Sequence, residues 1–345
     1  MSGGVDSSVA AGLLVEQGHE VVGATLKLWG GASDSGCCSV ADVDDARRVA
    51  QTLGVDHHVF NYTEEFERDV VTPFVQGHVE GRSPNPCIEC NRHIKFDPLF
   101  ERARRLGFDA VATGHHARVL ERDGVTYLAR GVDDAKDQSY VLGYLRAAQL
   151  ARLRLPIGHL TKSDVRVHAE RLGLRTWNKP DSQDVCFIEA SKGREDFLRQ
   201  RVTLTRATIV DARSGEIVGE SAAAELMTVG QRRGVTPGRH GERRYVSRVD
   251  LVARRVEVNT IDAIMVTSLA LDDSSLTFAR DALGDGDVVV VQCSAHGRPQ
   301  RATLRYDGRW RLDLAAPARP VAAGQTVVIY RADDATLVEG AAIVT

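Results

Sequence analysis

Seven residues at the amino end, Ser2-Gly3-Gly4-Val5-Asp6-Ser7-Ser8, place glycines, serine hydroxyls and one carboxylate directly ahead of a helical run at residues 9–15. The glycines let backbone N–H groups come close to an anion, the hydroxyls add donors, and the helix N-terminus adds a favourable dipole. Such a loop suits a pyrophosphate group. It lacks the Gly-Lys-Ser/Thr ending of a loop that grips a γ-phosphate, which disfavours a kinase or GTPase. Asp6 offers the hard oxygen that Mg²⁺ prefers, shared with phosphate oxygens.

Sulfur is the second resource. Of six cysteines, Cys87 and Cys90 stand in Asn85-Pro86-Cys87-Ile88-Glu89-Cys90-Asn91, and Cys186 in Asp181-Ser182-Gln183-Asp184-Val185-Cys186-Phe187-Ile188. A thiolate is both nucleophile and metal ligand, and two thiols can exchange through a disulfide. Cys87, Cys90 and Cys186 could equally supply three thiolates to a 4Fe–4S cluster with one open iron. Cys37-Cys38, in a Gly/Ser/Asp loop, reads as a plain loop feature or part of a zinc site, and Cys293 as core.

These residues need a scaffold, and the chain up to about residue 115 alternates helical and short apolar segments, the α/β pattern. Helices are predicted at residues 8–17, 43–53 and 100–106, the last closed by Gly107, and strands at 20–28, 57–60 and 110–112. A parallel sheet follows, with ligands at the carboxyl ends of its strands. A phosphate loop normally follows a strand, so apolar residues are expected ahead of Met1. Past residue 197 short β-prone runs take over, at 207–210, 244–249 and 255–258, then at 287–292, 301–306, 310–314 and 326–330. The division expected is a catalytic unit over 1–200, a small β-rich unit over 201–262 and a C-terminal β-barrel over 263–345.

The 345 residues favour more than one domain, and 43% hydrophobic with 26% charged residues describe a globular chain. No apolar run approaches the roughly 18 residues of a membrane span. No secretory leader is visible, so the reducing cytoplasm is the default compartment. A net charge of −3 argues against wholesale coating of nucleic acid. Even so, Arg232, Arg233, Arg239, Arg243, Arg244, Arg248, Arg254 and Arg255 form a local basic cluster opposed by Glu242 and Asp250.

The amino-terminal loop resembles that of the N-type ATP pyrophosphatases, an adenine nucleotide alpha-hydrolase-like superfamily that includes GMP synthetase, NAD synthetase, argininosuccinate synthetase and several tRNA thiolases. Together with the two cysteine motifs, Thr113-Gly114-His115, Lys136-Asp137-Gln138-Ser139-Tyr140 and Gly230-Gln231-Arg232-Arg233-Gly234, it resembles the tRNA-specific 2-thiouridylase family along most of the chain. The resemblance implies a sulfurtransferase that adenylates the C2 carbonyl of the wobble uridine, position 34, and replaces its oxygen with sulfur, releasing AMP and pyrophosphate. Cys186 would carry the persulfide and Cys90 would be the partner nucleophile, the two exchanging through a disulfide. ATP, with Mg²⁺, would be bound by Met1, Ser2, Gly3, Gly4, Val5, Asp6, Ser7, Ser8, Leu26 and Gly114. The tRNA would be contacted by Asn85, Pro86, Cys87, His115, Lys136, Asp137, Gln138 and Gln325.

Two departures stand out. Cys87 occupies a position where many members carry Asp, and Ser294-Ala295 replaces an Arg-Tyr pair. The Cys87 substitution keeps the cluster-dependent version of the same thiolation open. An amidating ligase with the same loop is the remaining alternative, although it has no use for Cys90 and Cys186. Lysine, glutamate and glutamine tRNAs, a cysteine desulfurase or sulfur-relay protein, and a monomeric state are the family expectation.

Overall fold

The computed structural model describes residues 1–29, 39–181, 185–189, 191–238, 241–278 and 283–345; Cys37 and Cys38 lie outside them. Gly4, extended at φ −93° and ψ 165°, is the N-cap of the helix Val5–Glu16, which therefore begins at Val5 rather than residue 8. The earlier start has a physical reason: Val5 and Val9, one turn apart, both enter the core, and Asp6 sits in the first turn where the dipole favours an acid.

The strand Val22–Lys27 pairs in parallel with Asp56–Asn61, bringing Leu26 opposite Phe60. Between them runs the helix Val40–Leu53, opened by a Ser39/Asp42 capping box and closed by Gly54 in the left-handed region. This is the parallel crossover unit that the alternating pattern predicted. A second parallel pair joins Val111–Ala112 to Leu153–Arg154. The sequence reading missed the antiparallel hairpin of Ala117–Arg122 and Val125–Arg130, which turns through Asp123 and Gly124, both at positive φ.

A four-stranded sheet follows, in the order Ile217–Ser221, Ala207–Asp211, Arg255–Asn259, Tyr245–Asp250, around a core of Ile209, Val246, Val256 and Val258. Last comes a seven-stranded sheet ordered Val266–Ala270, Trp310–Ala318, Gln300–Tyr306, Val288–Gln292, Thr326–Arg331, Val338–Ile343, Thr277–Phe278. All its pairings are antiparallel, and it curls into a half-barrel where the sequence pattern placed a β-barrel.

The outer face of the half-barrel packs against the amino-terminal part of the chain. Val289, Val291, Val327 and Ile329 face the half-barrel interior, whereas Val290, Val328 and Tyr330 alternate to the other face and pack with Tyr140, Leu142 and Leu153. Each such buried residue contributes roughly 1.5–3 kcal/mol relative to exposure. Burial on both faces explains the unbroken apolar run at residues 289–291.

Candidate active site

The amino-terminal loop is shaped by close backbone approaches. Gly3 has φ +70°, and a Cβ there would fall 2.3 Å from the Asp42 carbonyl oxygen. A Cβ on Gly114, just past the strand Val111–Ala112, would fall 2.5 Å from both the Asp6 carbonyl carbon and the Ser7 nitrogen. Only glycine lets that strand end pass beneath the loop. Ser2 N donates to Ser7 Oγ at 3.0 Å, and Ser8 Oγ donates to Gly4 O at 2.7 Å, so the serines first of all hold the loop's own curve. Val5 is core, and Met1 lies along the strand Val22–Lys27, its carbonyl accepting from Thr25 Oγ1 at 2.5 Å.

Around the loop stands a set of ion pairs that the motif reading did not find. Lys162 Nζ donates to both carboxylate oxygens of Asp6 at 2.7 Å and lies 2.8 Å from Asp181. Asp181 also pairs with Lys136 at 2.7 Å and Arg166 at 3.3 Å. Lys179 Nζ donates to the Gly3 carbonyl at 3.0 Å and to Asp42 and Asp45 at 2.7 Å each. His116, buried, places Nε2 3.3 Å from Asp6.

Burial pushes the Asp6 carboxyl upward, but hydrogen bonds from His116 and Lys162 outweigh it and hold the acid below its usual range. Asp181 behaves alike: burial raises it, and Lys136 and Lys162 bring it down to about 2. Burial lowers Lys179, and Asp42 and Asp45 more than restore it. One signal of this set was legible: Lys162 opens the helix Lys162–Arg171 behind the N-cap Thr161, where the helix dipole disfavours a cation.

The thiols have the opposite surroundings. Asn85 caps the short helix Pro86–Glu89 by accepting from Cys87 N at 3.1 Å, and a π-helical stretch, Cys90–Phe96, continues from it. Cys90 is 5% exposed within an apolar cluster built on Phe66, Phe74, Phe187 and Phe197. Cys186 and Leu26 are partly buried against that same cluster. Phe187 fixes the neighbourhood of Cys186, its ring meeting Phe74 edge-on at 5.4 Å and Phe66 at 5.7 Å. Thus Cys90, Cys186 and Leu26, from three distant stretches, meet at one cluster.

Cys87 is exposed instead. Among the described residues no three His, Cys, Asp or Glu side chains converge as metal ligands, so Cys87, Cys90 and Cys186 do not fit a 4Fe–4S cluster in this arrangement.

Two family models match the chain: the tRNA methyl transferase HUP domain over residues 1–190 and the tRNA methyl transferase PRC-barrel domain over residues 195–260. The tRNA-specific 2-thiouridylase MnmA of Mycobacteroides abscessus is 43% identical, covering 100% of this chain and 98% of its own. That of Saccharopolyspora erythraea is 42% identical over 100% and 97%, and that of Chloroflexus aurantiacus 43% over 96% and 94%. The chain belongs to the tRNA-specific 2-thiouridylase family.

The residues expected of this family to touch tRNA are placed as follows. His115 Nδ1 lies 2.8 Å from Thr113 Oγ1 and its ring 5.9 Å from that of Phe96. Burial and the nearby Lys95 charge push its pKa down to about 3, so the imidazole is neutral at physiological pH. Lys136 is committed to Asp181, and Gln138 Oε1 accepts from His116 N at 2.9 Å.

Asp137 is an internal organiser: its carboxylate takes Arg130 at 2.9 Å, the nitrogens of Gly131 and Ser139 at 3.0 Å, and Ser139 Oγ at 2.8 Å. Gln325 donates its amide to the Ser83 carbonyl, and Ser83 N donates to Ala323 O at 2.8 Å. These bonds tie the half-barrel to the segment that leads into Asn85 and buried Pro86. In the basic cluster Arg244, half-buried, pairs with Asp211 at 2.7 Å, while Arg248 and Arg255 pair with Asp250 and Glu257; Arg239 lies outside the described residues.

Proposed function

We propose that this chain uses ATP to thiolate the wobble uridine of tRNA, with Cys186 as persulfide carrier and Cys90 as partner nucleophile. The convergence of Leu26, Cys90 and Cys186 on one cluster carries the reading. It gives an adenine-packing side chain and two thiols a common place, served by the loop that Gly3 and Gly114 shape.

The uracil C2 oxygen is a poor leaving group. Its attack on the α-phosphorus of ATP releases pyrophosphate and makes it part of AMP. The terminal sulfur of a Cys186 persulfide then attacks C2. The Cys90 thiolate attacks Cys186 Sγ, the sulfur–sulfur bond to the substrate breaks, and AMP departs as the carbon–sulfur double bond forms. The product is 2-thiouridine, with Cys90 and Cys186 left as a disulfide that a reductant must open.

Asp6 fits a Mg²⁺ ion of the type held by one carboxylate and substrate phosphates, since it is a hard oxygen donor kept ionised at the loop. The metal would neutralise phosphate charge. Lys162 and Lys179 would supply further positive charge to the leaving pyrophosphate. Neutral His115 and the N-terminal end of the Pro86–Glu89 helix would receive a base turned out of the anticodon stack. Lys136, Gln138 and Gln325 would meet the tRNA after exchanging their internal partners, while Asp137 acts by holding that loop.

Methyl transfer, the activity in the family models' description, has no use for a pyrophosphate loop or for paired thiols. No helix among the described residues is long and apolar enough to cross a membrane. Lysine, glutamate and glutamine tRNAs, a cysteine desulfurase or relay protein as sulfur source, a cytoplasmic monomer, and the division at residues 200 and 262 complete the proposal. Pyrophosphate release that requires tRNA, with 2-thiouridine found by nucleoside mass spectrometry, is the expected result. Activity that depends on bound iron would overturn the persulfide route in favour of a cluster, and pyrophosphate release without tRNA would favour an amidating ligase.

A further inference from the structure

Arg130, the last residue of the strand Val125–Arg130, carries a guanidinium that meets three segments of the half-barrel. Its Nη2 donates to Gln292 Oε1 at 2.6 Å, its Nε donates to the Ala335 carbonyl at 3.0 Å, and its central carbon lies 4.0 Å from the centre of the Tyr330 ring. Gln292 is 3% exposed, and its amide nitrogen donates to the carbonyls of Ser294 and Ala295 at 2.8 and 3.0 Å. Those two bonds set the orientation of the amide and aim its oxygen at Arg130.

The fourth contact leaves the half-barrel: Nη1 donates to Asp137 Oδ2 at 2.9 Å. Asp137 accepts in turn from the nitrogens of Gly131 and Ser139 and from Ser139 Oγ, which lies 3.1 Å from the Tyr330 hydroxyl. Lys136 and Gln138, the residues expected to touch tRNA, flank that carboxylate in the chain. Their loop is thus shaped by one acid, and the acid is placed by a cation anchored on the half-barrel. The Arg130 side chain is 16% exposed and that of Asp137 6%, so each depends on its protein contacts rather than on bulk water.

Charge balance alone does not call for this arrangement. A guanidinium holds its donors in a rigid planar fork and stacks on an aromatic face, whereas an ammonium is a point charge that cannot meet three separated acceptors at once. We propose that Arg130 is a positioning residue through which the half-barrel sets the tRNA-contacting loop. The inference rests on the thiolation reading for the identity of the RNA, and it gives the half-barrel a task in the reaction, that of fixing where Lys136 and Gln138 meet the substrate. The far end of the loop is held separately, by Gln138 accepting from His116, so the effect should fall on tRNA more than on nucleotide.

The experiment uses the full chain, an in vitro transcribed lysine tRNA and Arg130→Lys, which keeps a cation for Asp137 and loses the fork. The dissociation constant for tRNA, from filter binding, should rise about tenfold, the scale of one charge-assisted hydrogen bond. That for ATP with Mg²⁺, from calorimetry, should stay within about twofold. Hydrogen exchange in peptides covering residues 131–139 should quicken. Gln292→Leu, which removes one half-barrel contact and leaves Arg130 in place, should weaken tRNA binding by about threefold. Added to Arg130→Lys it should change little more, because the contact it deletes is already lost.

A folded Arg130→Lys that binds tRNA within about twofold of wild type would mean that charge alone holds the loop, and overturns the proposal. So does unchanged exchange at residues 131–139, and so does an equal loss of ATP affinity, the mark of general loosening. Should Arg130→Lys lack a cooperative melt, Gln292→Leu decides by the same readouts. A wild type that binds no tRNA would instead sink the functional reading, while the exchange rates still decide whether the half-barrel shapes this loop through Arg130.

Discussion

The pyrophosphate side and the thiol side of the candidate site are built on opposite principles. The first is a lattice of paired charges, in which Lys162 and Lys179 each serve more than one acid. The second is an apolar, aromatic-rich cluster around Cys90 and Phe187. Ion pairs can trade partners when an anion arrives, whereas close-packed rings cannot rearrange without opening a void. The charged side is thus suited to receive and release a nucleotide, and the apolar side to hold two sulfurs at a set place.

The sharpest break is on the apolar side. Cys186→Ala removes one sulfur that faces this cluster and should leave the packing nearly intact. Thiolation by purified enzyme should fall below about one-thousandth of wild type, the scale for loss of a covalent nucleophile that acts with a partner. Affinity for tRNA should stay within about twofold. Retained 2-thiouridine formation would remove Cys186 from the chemistry.

Gly114→Ala is the matching break on the charged side. The added Cβ meets backbone of Asp6 and Ser7 at 2.5 Å, and backbone cannot swing aside as a side chain can. Displacing the loop by about 1 Å should lower tRNA-dependent pyrophosphate release by about 100-fold. A variant binding ATP at wild-type affinity would show that the loop tolerates displacement and that the strand end does not set its shape.

The two sides were also unequally legible in the sequence. The loop announced itself because its residues are contiguous, and the strands at Val22–Lys27, Asp56–Asn61 and Thr326–Arg331 fall where apolar runs predicted them. Lys162, Lys179 and Asp181 reach the loop only through tertiary folding, so no local pattern showed that Lys162 pairs with Asp6. The burial of Cys90 beside exposed Cys87 was likewise invisible, since a Cys-x-x-Cys spacing does not say which way a following π-helical stretch turns each thiol. That Asp137 gathers Arg130, Gly131 and Ser139 around its carboxylate also depends on tertiary folding.

Phe187→Ala tests the claim that the apolar side is rigid. Its ring touches Phe66, Phe74, Phe197 and Trp29, so truncation should cost about 3 kcal/mol or more of stability in urea unfolding. The void should let Cys186 wander, lowering thiolation more than tRNA-dependent pyrophosphate release. Equal losses in both steps would show that the cluster supports the whole fold without separately placing the thiol.

The smallest effect expected, and the cleanest contrast between the two sides, is in acid. Asp181 has a folded-state pKa of about 2, against an ordinary carboxyl value near ~4 in the unfolded chain. A depressed pKa adds stability that is fully present above the unfolded value and drains away as pH falls through the folded one, because the unfolded chain takes up the proton first. With partial solvent screening this amounts to about 1 kcal/mol. Asp181→Asn should therefore be less stable than wild type at pH 7 by about that much, with the gap closing between about pH 4 and pH 2. The deficit of Phe187→Ala has no titrating group behind it and should not close over the same interval. Thermal melts of the three proteins across this range decide the matter: an Asp181→Asn gap that persists in acid would mean that Asp181 contributes by shape rather than charge, and the division of the site into an exchangeable half and a fixed half would lose its electrostatic basis.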